Sequence, residues 1–326
     1  MHNVKRGSIS EAKQAAMRAK AAQYTALSRE ALAARRAHRH DAESLGLSAQ
    51  VIALNPEHAT MWNWRKEACV ANHAEPGPTR EAALLAELQL AQAGLMANPK
   101  SYCCWHHRRW AIEWGPLDAH VGREIRLCDK LLALDARNFH CWQHRRFLAE
   151  RARLSPADMR AFLDHQILHD FSNYSAWHER TRQLALARSP VDLAELSSEL
   201  ELVRNAFYTA PEDSAAWFYH RWLLARAADA AADADARADG ARGEAVRSAL
   251  LGELSMVDEL LQLEPGAKWP LLTGARVCSL LGDAECRERG AAWLAELERT
   301  DEQRTGHYAA MRERLLDTPR VAEGAV

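Results

Sequence analysis

The sequence predicts an all-α fold, a right-handed α-α superhelix made of stacked helical hairpins. Three observations predict it. Tryptophan-centred segments recur at intervals of 35 to 43 residues, which is typical of a repeat array rather than of an ordinary globular domain. Loop residues precede each of these tryptophans at fixed offsets. No stretch alternates apolar and polar residues for long enough to predict a strand. Because such a fold grows by adding units, we expect one continuous solenoid over residues 1–326.

Each repeat begins with a helix that starts just before its tryptophan. Four residues before the Trp, four of the five copies have a side chain able to accept a hydrogen bond from the first turn of a helix, as an N-cap does. Three residues after the Trp, four copies have an Arg. We expect the tryptophans to pack between neighbouring helices and the arginines to pair with carboxylates or loop carbonyls of the next unit. The tryptophans are Trp62, Trp105, Trp142, Trp177 and Trp217, the caps Ser101, Asn138, Asn173 and Asp213, and the arginines Arg65, Arg108, Arg145 and Arg180.

A proline is predicted to open the second helix of each pair. Proline suits the first turn of a helix, because the N–H group that it lacks has no partner there. The dipeptides in question are Gly77-Pro78, Gly115-Pro116, Ser155-Pro156 and Ser189-Pro190.

Five regions are expected along the single domain. Its low-complexity part is rich in Ala and Asp and is predicted to be a surface linker or a frayed helix. The regions are an N-terminal segment and helix over 1–40, five repeats over 41–226, the linker over 227–243, C-terminal helices with a degenerate sixth repeat at Trp269 over 244–318, and a loose tail over 319–326.

The composition excludes several functional classes. Lys and Arg number 42 against 44 for Asp and Glu, so the basic surplus of a nucleic-acid binder is absent. No run of 18 apolar residues predicts a transmembrane segment. The seven cysteines are odd in number and form no Cys-x-x-Cys pair. They predict reduced thiols in a cytoplasmic protein, with no metal cage in this chain.

Several longer sequence motifs are similar to motifs of a known protein family. Residues 99–108 read Pro-Lys-x-Tyr-x-x-Trp-His-His-Arg, and further matching motifs cover 55–56 with 59–63, 138–142, 171–175 and 215–224. The chain resembles the alpha subunits of the protein prenyltransferases over nearly its whole length. Within that family it is most similar to the Rab geranylgeranyltransferase (type II) group, in a compact form without immunoglobulin-like and leucine-rich-repeat domains.

The resemblance implies an enzyme subunit that is not active alone. An obligate beta subunit would bind zinc and most of the lipid, and the pair would transfer geranylgeranyl from geranylgeranyl diphosphate to C-terminal cysteines of Rab GTPases presented by a Rab escort protein. The resemblance assigns Lys100 to the diphosphate, with Tyr102 and His140 lining the same site. All three lie at predicted helix N-termini, where free N–H groups favour an anion. The family has Tyr at the position of Phe139.

Two positions refine this prediction. Subunits of CaaX-type enzymes have Gln where this chain has Cys103, and that Gln helps to hold the carboxylate of the substrate. Cys is a poor partner for a carboxylate, so the change favours a Rab-type enzyme. His2 resembles the N-terminal segment of Rab-type relatives, which can reach the zinc of the beta subunit and block it. The alternative is an ordinary disordered tail.

Two other functions stay open at this stage. The chain could be the alpha subunit of a CaaX farnesyl- or geranylgeranyltransferase, or a tetratricopeptide-like scaffold without chemistry. The scaffold would show a near-constant period of about 34 residues, which the observed spacing does not. His106, His107 and His144 have no third ligand at suitable spacing for a metal. We expect them to form hydrogen bonds and to face the partner subunit.

Overall fold

Helices make up the whole of the fold that the structure describes. The computed structural model describes residues 10–186 and 192–317, and in these ranges it holds fifteen α-helices, two short 3-10 helices and no strand. The prediction of an all-α fold of helical hairpins is confirmed. The contacts divide the chain into two compact units, Met1–Ser155 and Pro156–Val326.

The first unit contains seven α-helices. The long first helix packs on the second, and the fourth and sixth helices pack on the fifth and seventh as hairpins. The helices are α1 (Glu11–Arg36), α2 (Ala42–Leu54), α3 (Ala59–Asn72), α4 (Pro78–Ala97), α5 (Tyr102–Trp114), α6 (Val121–Leu134) and α7 (Phe139–Ala152).

The second unit contains eight α-helices that pack as successive hairpins. Its C-terminal core is formed by apolar residues of the last three helices, with Leu271, Leu294 and Tyr308 fully buried. The helices are α8 (Pro156–His169), α9 (Tyr174–Leu186), α10 (Leu193–Thr209), α11 (Ser214–Ala236), α12 (Gly240–Leu263), α13 (Lys268–Leu281), α14 (Ala284–Thr300) and α15 (Thr305–Asp317).

The predicted N-cap residues lie at the starts of the helices that contain the repeat tryptophans. Ser101, Asn138 and Asp213 each accept a backbone N–H of the first turn through a side-chain oxygen. Asn173 does the same for α9, accepting from Ala176 at 3.1 Å. These bonds satisfy N–H groups that would otherwise have no partner inside the helix.

Each of the five tryptophans closes the loop before its own helix. The indole N–H donates to the backbone carbonyl six residues earlier, at 2.7 to 2.9 Å in every copy. The bond folds the tryptophan helix back on the helix that precedes the loop. The tryptophan helix is therefore the second of its hairpin. Where a proline opens a helix, in α4 and α8, that helix comes first, which corrects the predicted order. The acceptors are the carbonyls of Pro56, Pro99, Ala136, Phe171 and Pro211.

The arginines of the repeat pair with carboxylates, as the sequence predicted. A His takes the same role in the fifth copy. Four of these five partners lie on the helix that follows, and Asp129, the partner of Arg145, lies on the helix before. Arg180 makes a second pair within its own hairpin, with Asp164 at 2.6 Å. The pairs are Arg65 with Glu87, Arg108 with Glu124, Arg145 with Asp129, Arg180 with Glu199, and His220 with Glu253, at 2.5 to 2.7 Å.

The predicted prolines differ in their effect. Pro78 and Pro156 open α4 and α8 as expected. Pro116 does not open a helix directly, because a short 3-10 helix, Asp118–His120, comes before α6. The dipeptide Ser189-Pro190 lies outside the described residues.

The low-complexity stretch is helical over most of its length. α11 continues to Ala236 and α12 begins at Gly240, so only three residues connect them. Ala227, Ala230 and Ala234 are buried. Alanine has the highest helix propensity, and small side chains at this spacing allow a neighbouring helix to approach closely. Of the two alternatives expected for 227–243, the surface linker is therefore wrong, and the stretch is helical but packed rather than frayed. At the predicted sixth repeat, Trp269 is the second residue of α13 and partly buried.

Candidate functional site

The loop before α5 holds Lys100 in a fixed backbone position. The Asn98 side chain accepts the backbone N–H of Lys100 at 3.2 Å, and Ser101 caps the helix by accepting from Cys104 at 3.2 Å. The indole of Trp105 donates to the carbonyl of Pro99 at 2.9 Å. Three hydrogen bonds therefore order the loop around the lysine, while 63% of its side chain stays exposed.

Asn138 ties the start of α7 to this loop. Its Oδ1 atom accepts from the backbone N–H of Cys141 at 3.2 Å, and its Nδ2 atom donates to the carbonyl of Pro99 at 2.9 Å. One side chain thus caps its own helix and bonds to the loop of the preceding repeat. The N-terminal ends of α5 and α7 are adjacent for this reason.

The structure brings Tyr102 and His140 into direct contact. Their ring centroids lie 4.1 Å apart in an edge arrangement, and Phe139 lies 6.1 Å from Tyr102. Tyr102 is 65% exposed, whereas His140 is buried. Burial lowers the pKa of His140, partly offset by Glu57. Its Nε2 atom is buried and has no hydrogen-bond partner among the described residues.

Lys100 is close to Tyr102 in the sequence, but its ammonium group forms an ion pair with a residue of another loop. Its Nζ atom is 3.2 Å from Oδ2 of Asp135, in the loop that precedes α7. Both side chains are substantially exposed. An exposed ion pair of this kind is worth about 0–1 kcal/mol. A more highly charged anion could therefore replace Asp135 as the partner of the lysine.

A pocket of about 410 Å³ adjoins Tyr102 and His140. Sequence reasoning had not assigned its other residues to a site, although several follow Tyr102 at helical spacing on one face of α5. That spacing is the signal that could have found them. The lining residues are Tyr102, Trp105, His106, Arg109, Trp110, Glu113, His140, Gln143 and His144.

The expectation that three histidines face the partner is corrected for two of them. His107 is buried and bonds to Glu87 at 2.8 Å, and His144 is buried at 4.0 Å from Glu124. Only His106 is exposed, with its Nδ1 atom 3.0 Å from Nζ of Lys66. Because His107 and His144 are buried, their side chains contribute to the packing between hairpins.

His144 is expected to make the chain less stable below pH 6.5. Burial, followed by the charges of Arg108 and Arg109, lowers its pKa from 6.5 to about 3. Between these values the unfolded chain takes up a proton that the folded chain does not, so the free energy of unfolding falls as the pH falls. The loss is about 2 kcal/mol at pH 5 relative to pH 8.

The measurement is the free energy of unfolding by urea at several pH values. The variant His144→Phe should lose this part of the pH dependence and show the shallower slope. Equal slopes for the two proteins would contradict the assignment.

Cys103 bonds within the chain. Its thiol donates to the backbone carbonyl of Glu57 at 3.6 Å. Burial, followed by the charge of Glu57, raises the pKa of this thiol. A neutral thiol committed to a carbonyl offers little to the carboxylate of a substrate.

The described part of the chain contains no group of three or more His, Cys, Asp or Glu residues that could hold a metal ion. Within the same residues, no helix has the length and apolar character needed to cross a membrane. His2 lies in 1–9, outside the described residues, and its relation to zinc stays a prediction.

The comparison with protein families agrees with the repeats. The description "protein prenyltransferase alpha subunit repeat" matches residues 84–115, 121–152 and 196–227, which cover α5, α7 and the start of α11 together with the helices before them. A relative from Dictyostelium discoideum, geranylgeranyl transferase type-2 subunit alpha, is 33% identical over 85% of this chain and 86% of its own length. The chain belongs to the protein prenyltransferase alpha-subunit family.

Within the family, the similar relatives are of the type-2 kind. The subunit of that name from Rattus norvegicus is 43% identical over 59% of this chain, and the matched part is 35% of the rat protein. The chain thus spans about a third of the length of this mammalian relative. A solved structure, Candida albicans protein geranylgeranyltransferase-I complexed with GGPP, matches with a TM-score of 0.69, covers 96% of this chain and 95% of its own and is 17% identical. It shows the fold.

Proposed function

We propose that the chain is the alpha subunit of a heterodimeric protein geranylgeranyltransferase of the Rab type. The pair would transfer geranylgeranyl from geranylgeranyl diphosphate to C-terminal cysteines of Rab GTPases. The observation that carries the proposal is the Dictyostelium relative, which carries the type-2 alpha name and matches over most of both chains. The contact between Tyr102 and His140 beside the ordered loop of Lys100 supports a site at the assigned residues.

Lys100 would stabilise the leaving diphosphate. Negative charge builds on that group as the bond to the lipid breaks, and a cation near it lowers the barrier. The weak exposed pair with Asp135 leaves the ammonium free to exchange partners. The N-terminal ends of α5 and α7 add N–H groups and the positive ends of two helix dipoles in the same region.

Tyr102 and His140 would line the same site. The phenol of Tyr102 is a hydrogen-bond donor in a largely exposed position, and the buried ring of His140 fixes its orientation through the edge contact. The ring of His140 adds a nitrogen without a partner among the described residues. These two side chains would orient the substrate rather than carry charge.

The remaining parts of the reaction are assigned to other chains. The chemistry that zinc supplies, a thiolate nucleophile at neutral pH, belongs in this proposal to the beta subunit. An escort protein would present the Rab substrate, and the blocking role of His2 is part of the same proposal.

The test is co-expression of this chain with a candidate beta subunit, followed by a transfer assay with labelled geranylgeranyl diphosphate. The expected result is a stable pair that contains zinc and modifies a Rab protein only when escort protein is present. A pair that modifies a CaaX peptide without escort protein would overturn the Rab assignment. A chain that binds no beta subunit would overturn the proposal as a whole.

A further inference from the structure

An arginine on α13 lacks the carboxylate that the buried arginines of the repeats have. Arg276 is half-buried, and its guanidinium makes no hydrogen bond or ion pair within the part of the chain that the structure describes. Burial, followed by the charge of Arg221, lowers its pKa to about 10. It is therefore still a cation at neutral pH. The charges of Arg221 and Arg276 repel each other, and an anion bound close to both would relieve this repulsion.

Arg276 lines a pocket of about 410 Å³ within the second unit. The polar lining consists of three arginines, a His and a Ser, and no carboxylate among the described residues contributes to it. The polar residues are Arg221, Arg276, Ser279, His307 and Arg314, and the apolar ones Leu224, Ala225, Ala275, Leu280, Leu294, Met311 and Leu315.

Charge and apolar surface are separated within this pocket. Arg221, His307 and Arg314 are exposed and so mark the mouth, and the Nε atom of Arg314 already donates to the carbonyl of Ala310. The floor is apolar, because Leu224, Ala275, Leu294 and Leu315 are buried. A ligand that fits both parts has an anionic end and an apolar body.

We propose that this pocket binds an anionic amphiphile, a single carboxylate or phosphate head on a medium-length aliphatic chain. The head lies between Arg221 and Arg276, and the chain lies on the leucine floor. A planar guanidinium can bind either head group through two parallel hydrogen bonds. Pockets of roughly 300–1,000 Å³ suit small ligands, so the occupant is not a folded partner. Lys100, Tyr102 and His140 are not among its lining residues.

The test is calorimetric titration of the full chain, in the complex in which it is purified. Decyl phosphate and decanoate are the probes, each below its micelle concentration. We expect one molecule to bind per chain at this pocket, counted as the difference in stoichiometry between the unaltered protein and the pocket variants described below. Each methylene is worth about a fourfold change in affinity, so octyl phosphate, which is two methylenes shorter, should bind about fifteenfold more weakly than decyl phosphate. Tighter binding of decyl phosphate than of decanoate identifies a phosphate head, and the reverse identifies a carboxylate.

Two variants locate the binding. Arg276→Met should weaken the binding of the anion about ten- to hundredfold, because a charge-assisted hydrogen bond is lost. The unfolding temperature of this variant should not fall, since Arg276 has no partner among the described residues. Ala225→Trp keeps every charge and blocks the exposed side of the pocket, so it should also abolish binding.

Matched controls separate this site from the proposed transferase site. Arg226→Gln removes a charge from the same helix as Arg221 but outside the pocket lining. Arg226→Gln and Lys100→Ala should both bind decyl phosphate as the unaltered protein does. Absence of binding, binding that persists in both pocket variants, or equal binding of decyltrimethylammonium would overturn the proposal. Loss of binding in Lys100→Ala alone would place the ligand at the transferase site instead.

Discussion

Lys100→Ala is expected to slow single-turnover prenyl transfer about ten- to hundredfold while the pair with the beta subunit stays intact. A charge-assisted contact is worth about 1.5–3 kcal/mol, which corresponds to that change in rate. The pair should stay intact because the side chain is largely exposed and forms only a weak ion pair. The measurement is rapid-quench transfer from labelled geranylgeranyl diphosphate with enzyme in excess.

Two further variants make this test specific. Lys130→Ala removes an exposed lysine that belongs to α6 and not to the loops that hold Lys100, and it should leave the rate unchanged. Asp135→Asn removes the present partner of Lys100 and should leave the rate unchanged or raise it. A normal single-turnover rate in Lys100→Ala would contradict the assignment of this lysine to the diphosphate.

The fold could be predicted from the sequence because its signals are local. Asn138 and Trp142 occupy positions whose physical roles, a helix cap and a packed indole, can be read from spacing alone, and the structure shows both. The bond from each indole to the carbonyl six residues earlier could not be predicted in this way, because its acceptor is a backbone atom that every residue has.

The linker prediction failed for a physical reason. Low complexity and a lack of large apolar residues over 227–243 predict a surface linker or a frayed helix, both of them exposed. Alanines at spacings of three and four residues can also form a buried stripe, and in α11 Ala227, Ala230 and Ala234 do so. Composition does not distinguish these cases, because the difference lies in whether another helix packs against the stripe.

The candidate site could be predicted in part. The contact between Tyr102 and His140 follows from two neighbouring helix starts. The pairing of Lys100 with Asp135 joins loops of two different repeats, and the sequence does not state which carboxylate lies within reach. The pocket on α13 was missed because Arg276 belongs to no repeat position. Arg276 differs from the other arginines because it has no partner among the described residues, and only a structure can reveal this.

The largest expected loss of stability comes from Arg108→Met. Arg108 is 2% exposed and donates to both carboxylate oxygens of Glu124, at 2.5 and 2.8 Å, as well as to the carbonyl of Leu88. Methionine fills similar space but leaves Glu124 buried without its cation. Breaking a buried pair on one side costs about 3–5 kcal/mol, because an uncompensated charge remains. The measurement is the free energy of unfolding from urea titration.

The neighbouring residue provides a matched control. Arg109 lies on the same helix and pairs with Glu113 at 2.9 Å, but both side chains are about half exposed, at 45% and 46%. Arg109→Met should therefore cost less than about 1 kcal/mol. The double variant Arg108→Met with Glu124→Gln should recover part of the loss, since the stranded charge is then gone. If the single and double variants lose equal stability, packing rather than charge explains the effect, and the buried pair has no special role between these hairpins.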